Sequence, residues 1–188
     1  MSGQTDLRAA PAGLALPVEG RIVFPEFTPA ELATLKDTVG KGLTDPELGL
    51  FLAYAKRTGL DPFTRQIMAW KQGDRMVLHV GIDGLRAVAE RSGEYAGQAP
   101  VKFDFTPKAE DGSQLLISAT ATVYRKGWEH PVEVTAYWCE YAPKEIKPDS
   151  SWGRLPTVML GKVAEAAALR KAFPRDLSGL YEPSELGE

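Results

Sequence analysis

GLDPFTRQIMAWKQGDRMVLHVGIDGLRAVAERSGEYAG, residues 59–97, packs four structural instructions into little sequence. Gly59 can end a helix in the left-handed conformation, and Pro62 stops that helix from restarting. Ile67 to Lys71 and Met76 to Val80 are short apolar runs, and Gly73-Asp74 at the centre of the gap between them signals a hairpin turn. At Gly81-Ile82-Asp83-Gly84 the period changes. Asp83 is a good N-cap, and Leu85, Val88 and Ala89 fit one face of a short helix over 83–92. Ser92-Gly93 ends that helix, and the chain returns towards extended structure. The stretch is a structural nucleus and holds no obvious catalyst.

On the N-terminal side, Thr28-Pro29-Ala30-Glu31 has the form of a capping box with proline at the first helical position. Thr44-Asp45-Pro46-Glu47 repeats the device before a helix that carries Leu48, Phe51, Leu52 and Ala55 on one face. Residues 1–20 have no sustained period and read as a flexible leader. On the C-terminal side three segments alternate at period two: Val101–Phe105, Leu115–Tyr124 and Val132–Cys139. Asp111-Gly112 and Lys126-Gly127 mark the turns, which predicts an antiparallel meander with Leu115, Ile117, Ala119, Ala121 and Val123 on one face. A Pro-, Lys- and Ser-rich loop from Ala142 to Leu155 follows, and Pro156 then opens a helix through Phe173. Met159, Val163, Ala166 and Phe173 form its apolar stripe, with Arg170 in the middle.

The chain's 188 residues suit one domain, read as a core over 21–175 between the leader and an acidic tail over 176–188. No apolar run is long enough to span a membrane. There is no export signal, and Cys139 is the only cysteine, so a cytoplasmic location is expected. One cysteine and two distant histidines, His79 and His130, cannot form a structural zinc site. Net charge is −3, but four of the 25 acids (Asp176, Glu182, Glu185 and Glu188) follow Arg175. The other 21 acids face 22 basic residues, so the body is about neutral and can still carry a basic groove.

No enzyme constellation can be assembled. There is no GxxxxGKS/T phosphate loop, no GxGxxG opening a helix and no GxSxG elbow. His79 lies in an apolar strand and reads as structural, and Asp83 is explained by capping. Basic and aromatic residues remain at structural corners: Arg65, Lys71, Arg75, Lys144, Lys147, Trp152, Arg154, Lys162, Arg170 and Lys171. Lysine and arginine bind phosphates with little regard to sequence, and aromatic rings stack on unpaired bases. Lys71, Arg75, Lys144 and Lys147 read as ordinary solvated charges. Trp152 either plugs a core edge or stacks on a base. Arg170 needs an anionic partner, either a buried carboxylate or a phosphate.

Four blocks carry a resemblance: GLDPFTRQIMAW at 59–70, VGIDGLRAVAERSGEYAGQ at 80–98, YRKGWEHPVEVTAYWCEY at 124–141, and WGRLPTVMLGKVAEAAALRKAFPRDLSGLYEPSE at 152–185. In this order they resemble the phage recombination protein Bet family, the Redβ-like single-strand annealing proteins of the wider RecT superfamily. The resemblance covers roughly residues 44–186. It implies an α+β fold: N-terminal helices, a β-hairpin plus helix, a three-stranded antiparallel meander, and a C-terminal helix packed on the sheet. It implies a protein, not an enzyme, that binds single-stranded DNA and anneals complementary strands without ATP. Mg2+ would modulate annealing without being a cofactor. Rings or helical filaments are expected, in a bacterial cell hosting a phage or prophage.

The DNA-binding set implied is Arg65, Trp152, Arg154, Lys162, Arg170 and Lys171. Arg65 stands where the family has a basic residue after its Pro-Phe/Trp-Thr motif. Trp152 opens the last block, Lys162 fits the MLxK pattern, and Arg170 precedes the Ala-Phe near the helix end. The chain departs from the Redβ pattern at Thr157-Val158, where a basic pair is expected, and Arg154 or Lys162 would have to compensate. Many members carry a further partner-binding domain. The sequence ends at Glu188, so contacts with a phage exonuclease or a host single-strand-binding protein stay open. A non-annealing oligomeric scaffold is the alternative reading, and a metal-dependent nuclease would need a carboxylate cluster that the sequence does not offer.

Overall fold

The computed structural model describes residues 27–177, so the leader and all of the acidic tail beyond Leu177 lie outside the described residues. Helix α1 (Pro29–Thr38) starts at a complete capping box: the Thr28 amide donates to Glu31 Oε2 at 2.7 Å and the Glu31 amide to Thr28 Oγ1 at 3.3 Å. Helix α2 (Asp45–Thr58) has the same device, with the Thr44 amide 2.9 Å from Glu47 Oε2. It buries Leu48, Phe51, Leu52 and Ala55 and ends on Gly59, whose φ of 62° is left-handed as the sequence requires.

The turn at 61–66 leads into the hairpin. Asp61 Oδ1 accepts from the Phe63 amide at 2.9 Å, and Arg65 takes a left-handed φ of 59°. Strands β1 (Ile67–Gln72) and β2 (Arg75–Val80) pair from Ile67↔Val80 to Gln72↔Arg75, leaving the predicted two-residue loop at Gly73-Asp74. Helix α3 (Ile82–Arg91) follows at once. Its N-cap is Gly81, not Asp83, which sits inside the first turn and accepts from Arg86 Nη1 at 2.9 Å. The reason is close packing. The Gly81 amide donates to Gln66 O at 3.1 Å, and a Cβ on Gly84 would stand 2.4 Å from that same oxygen. The start of α3 is thus pressed onto the turn that carries Arg65.

The larger sheet contains the expected meander, β4 (Lys102–Phe105), β5 (Leu116–Arg125) and β6 (Val132–Tyr137), all antiparallel. It also holds a fourth strand that the three-stranded expectation omits. β3 (Tyr95–Gln98) lies on the same edge of β5 as β4, further along it. The predicted apolar face is re-phased as well. Asp104 pairs Ser118 and Phe105 pairs Leu116, so Ile117 is an extra residue. Ala119, Ala121 and Val123 are buried as expected, whereas Leu116 packs on the core and Leu115 and Ile117 are exposed. The third strand also stops earlier than predicted, because Trp138 begins a short helix α4 (Trp138–Tyr141).

Within the long loop, α5 (Ser151–Arg154) forms one turn, with Ser150 Oγ accepting from the Gly153 amide at 3.1 Å. Helix α6 (Pro156–Ala172) then crosses the sheet against β5 and β6, and its other side meets α3. Buried between two layers, it carries small residues all round, including Gly161, Ala164, Ala166, Ala168 and Ala172. A final turn, α7 (Pro174–Leu177), packs on α3 and seals the core with Leu177.

Candidate nucleic-acid interface

The six candidate residues fall in three places. Arg65 is exposed on the turn in front of the hairpin, two residues from an exposed aromatic ring, Phe63. Arg154 is exposed at the end of α5, immediately before α6. Lys162, Arg170 and Lys171 ride on α6, the first two half-buried and the third exposed. At 100° per residue, Lys171 points about 180° away from Lys162, and Arg170 about 80° away from it. One face of α6 therefore offers Lys162 and Arg170 together but not Lys171.

Trp152 is 8% exposed, and its ring meets Trp138 edge to face with centroids 5.5 Å apart. It anchors the α5 turn in the core. Beside it, Gly153 has no room for a side chain, because a Cβ would stand 2.4 Å from Lys147 O. Together these contacts fix the backbone that presents Arg154.

The Thr157-Val158 pair lies in the first turn of α6, where Val158 is 46% exposed and Leu155, just before the helix, is 53% exposed. No side chain caps this helix start, and Arg154 is the cation next to it in the chain. Amide groups at a helix N-terminus carry partial positive charge, which favours an anion beside Arg154.

Sequence reasoning missed the strongest polar contact in the core. Glu165, 4% exposed on α6, is held by Arg86 of α3, with Nε 2.6 Å from Oε1 and Nη2 2.7 Å from Oε2. The Glu165 carboxylate raises the Arg86 pKa above its ordinary value. Burial, with Glu165 nearby, also pushes the Tyr95 hydroxyl up. The signal was present: an acid inside AEAAAL is as costly to bury as the Arg170 guanidinium and needs a partner just as much.

Two further cations have structural partners. Arg125 donates to Ala172 O at 2.5 Å and pairs with Glu94, while its guanidinium lies 5.0 Å from the Trp128 ring and 5.4 Å from that of Phe173. Lys71, read as a solvated charge, joins the hairpin to α2 through Glu47 at 2.6 Å. His79 packs against Trp70 with centroids 5.0 Å apart, and burial lowers its pKa to about 4, so it is neutral near pH 7.

Among the described residues, no three His, Cys, Asp or Glu side chains converge as a metal cage would require, and no helix is long and apolar enough to cross a membrane. A scan against protein-family models matches residues 25–188 to the RecT family. The chain belongs to the RecT family. Members of this family are DNA-binding recombination and annealing proteins, and the match spans every candidate residue from Arg65 to Lys171. No curated protein matches the chain closely enough to add a named relative.

Proposed function

We propose that this RecT-family chain is an ATP-independent single-strand annealing protein that assembles on DNA and pairs complementary strands. The observation that carries the reading is the family match over residues 25–188. The geometry agrees with it. Arg65, Arg154, Lys162 and Arg170 stand on firmly anchored elements: a turn clamped by α3, a turn clamped by Trp152, and a helix locked by Glu165. Rigid cations of this kind neutralise phosphates without reading bases. The bases stay free for Watson–Crick pairing, so sequence fidelity comes from the second strand and no nucleotide hydrolysis is needed. Mg2+ would act by screening phosphates.

Assembly multiplies a few contacts per subunit into useful affinity. The outer edge of β6 has no strand partner among the described residues, and the β1–β2 ribbon is likewise a separate two-stranded sheet. Either can take a strand from a neighbouring subunit. A phage exonuclease or a host single-strand-binding protein is the expected class of further partner.

A second reading has one observation in its favour. The exposed Val158, one of the two positions where Redβ-like chains are basic, and the exposed Leu155 nearby suit a protein contact better than a phosphate. This would make the chain a non-annealing scaffold. Electron microscopy with two complementary oligonucleotides added in sequence separates the readings. The annealing account predicts rings or filaments that capture the first strand and retain the second. Oligomers that form identically without DNA and take up neither strand would support the scaffold.

A further inference from the structure

A groove of about 590 Å³ opens where the C-terminal ends of α2 and α3 meet α7, away from the start of α6. Three guanidinium groups line it, from Arg57, Arg91 and Arg175, and Asp176 is its one acid. The half-exposed ring of Tyr54 forms part of the wall, and Val88 lies beneath. Helix C-termini ordinarily repel anions, since their last carbonyls carry partial negative charge. Here Arg91 donates to the Thr58 and Gly59 carbonyls, the former at 2.7 Å, so the end of α2 presents a cation instead. Arg57 and Arg175 are exposed, and neither side chain has a hydrogen bond or an ion pair among the described residues.

We propose that this groove is a second single-stranded DNA subsite, holding phosphodiester oxygens on Arg57, Arg91 and Arg175 and one base against Tyr54. It rests on the annealing reading and extends it to a surface outside the six candidate residues. Guanidinium forks match phosphate oxygens two at a time. The tyrosine ring favours a nucleotide over an acidic peptide, whose carboxylate side chains have nothing to stack on it.

The test is fluorescence anisotropy with a labelled oligothymidylate across a salt series. Arg57→Gln with Arg175→Gln should weaken binding at least about tenfold and reduce the salt slope by about 1.4, the share of two phosphate contacts on a single strand. Its unfolding temperature should stay unchanged, since neither side chain has a partner among the described residues. The matched variant Lys41→Gln with Lys108→Gln removes two exposed cations elsewhere and should keep the slope. Tyr54→Ala should weaken binding and Tyr54→Phe should not. Wild-type binding that survives in the Arg57/Arg175 variant, or falls no further than in the Lys41/Lys108 control, overturns the site alone, as an acidic protein partner would require. Failure of the wild-type protein to bind the oligonucleotide removes the annealing reading, and this site with it.

Discussion

Arg65 is the described non-glycine residue with a left-handed backbone, at φ 59°. An L-residue there carries a steric penalty that glycine escapes, partly offset by the greater chain entropy glycine loses. Arg65→Gly should therefore raise stability by about 0.5–1 kcal/mol in urea denaturation. It should also lower the salt slope of oligonucleotide binding by about 0.7, one phosphate contact. A stabilised variant with unchanged binding would remove Arg65 from the interface. The Arg86–Glu165 pair tests the core in the opposite sense. Arg86→Met alone strands a buried carboxylate and should cost about 3 kcal/mol, moderated because Arg86 is 44% exposed. Adding Glu165→Leu should recover much of that loss, and a double variant worse than the single one would contradict the account. Single residues were legible where local chemistry decides them, as at Thr28, Thr44 and Gly59. Trp152 and Arg86 depend on which distant side chain arrives opposite, and no local pattern encodes that.

Elements were legible in proportion to their self-sufficiency. Both N-terminal helices, the hairpin register and α6 follow from caps, turn residues and periodicity. β3 did not, because Tyr95-Ala96-Gly97-Gln98 has little strand character and pairs irregularly with β5. The bulge at Ile117 likewise depends on the partner strand, so strict alternation put Leu115 and Ile117 on the wrong face. The hairpin's attachment to α2 has a pH signature. Its salt bridge to Lys71, with the Thr44 amide, lowers the Glu47 pKa from 4.5 to about 2. A lowered carboxylate pKa stabilises the fold above the unfolded value, and that stability is lost as pH falls from about 4.5 to about 2. His79 acts earlier. Burial lowers its pKa from 6.5 to about 4, so the unfolded chain takes up the proton first and stability falls as pH drops through that interval. Thermal unfolding between pH 8 and 2 should show both declines. Glu47→Gln should flatten the lower one and His79→Phe the upper, and two unchanged profiles would contradict these assignments.

For the whole molecule, the α+β class, the order of elements and the last helix packed on the sheet were expected, but the cover that α3 puts on that helix's other side was not. Nothing in PTVMLGKVAEAAALRKAF says that α3 covers the side turned away from the sheet, since the apolar stripe alone suggests one buried face. That burial gives the cations on and around α6 a rigid base. The basic groove at the α2–α3–α7 corner joins residues 57, 91 and 175, so only the folded chain shows it. Annealing without nucleotide can be followed as strand pairing. Two complementary oligonucleotides carrying a donor and an acceptor dye are mixed with the protein in the absence of ATP, and the pairing rate is followed. An annealing protein should give a rate well above the protein-free reaction that falls steeply as salt is raised. A rate equal to the protein-free control at every salt and Mg2+ concentration would contradict it.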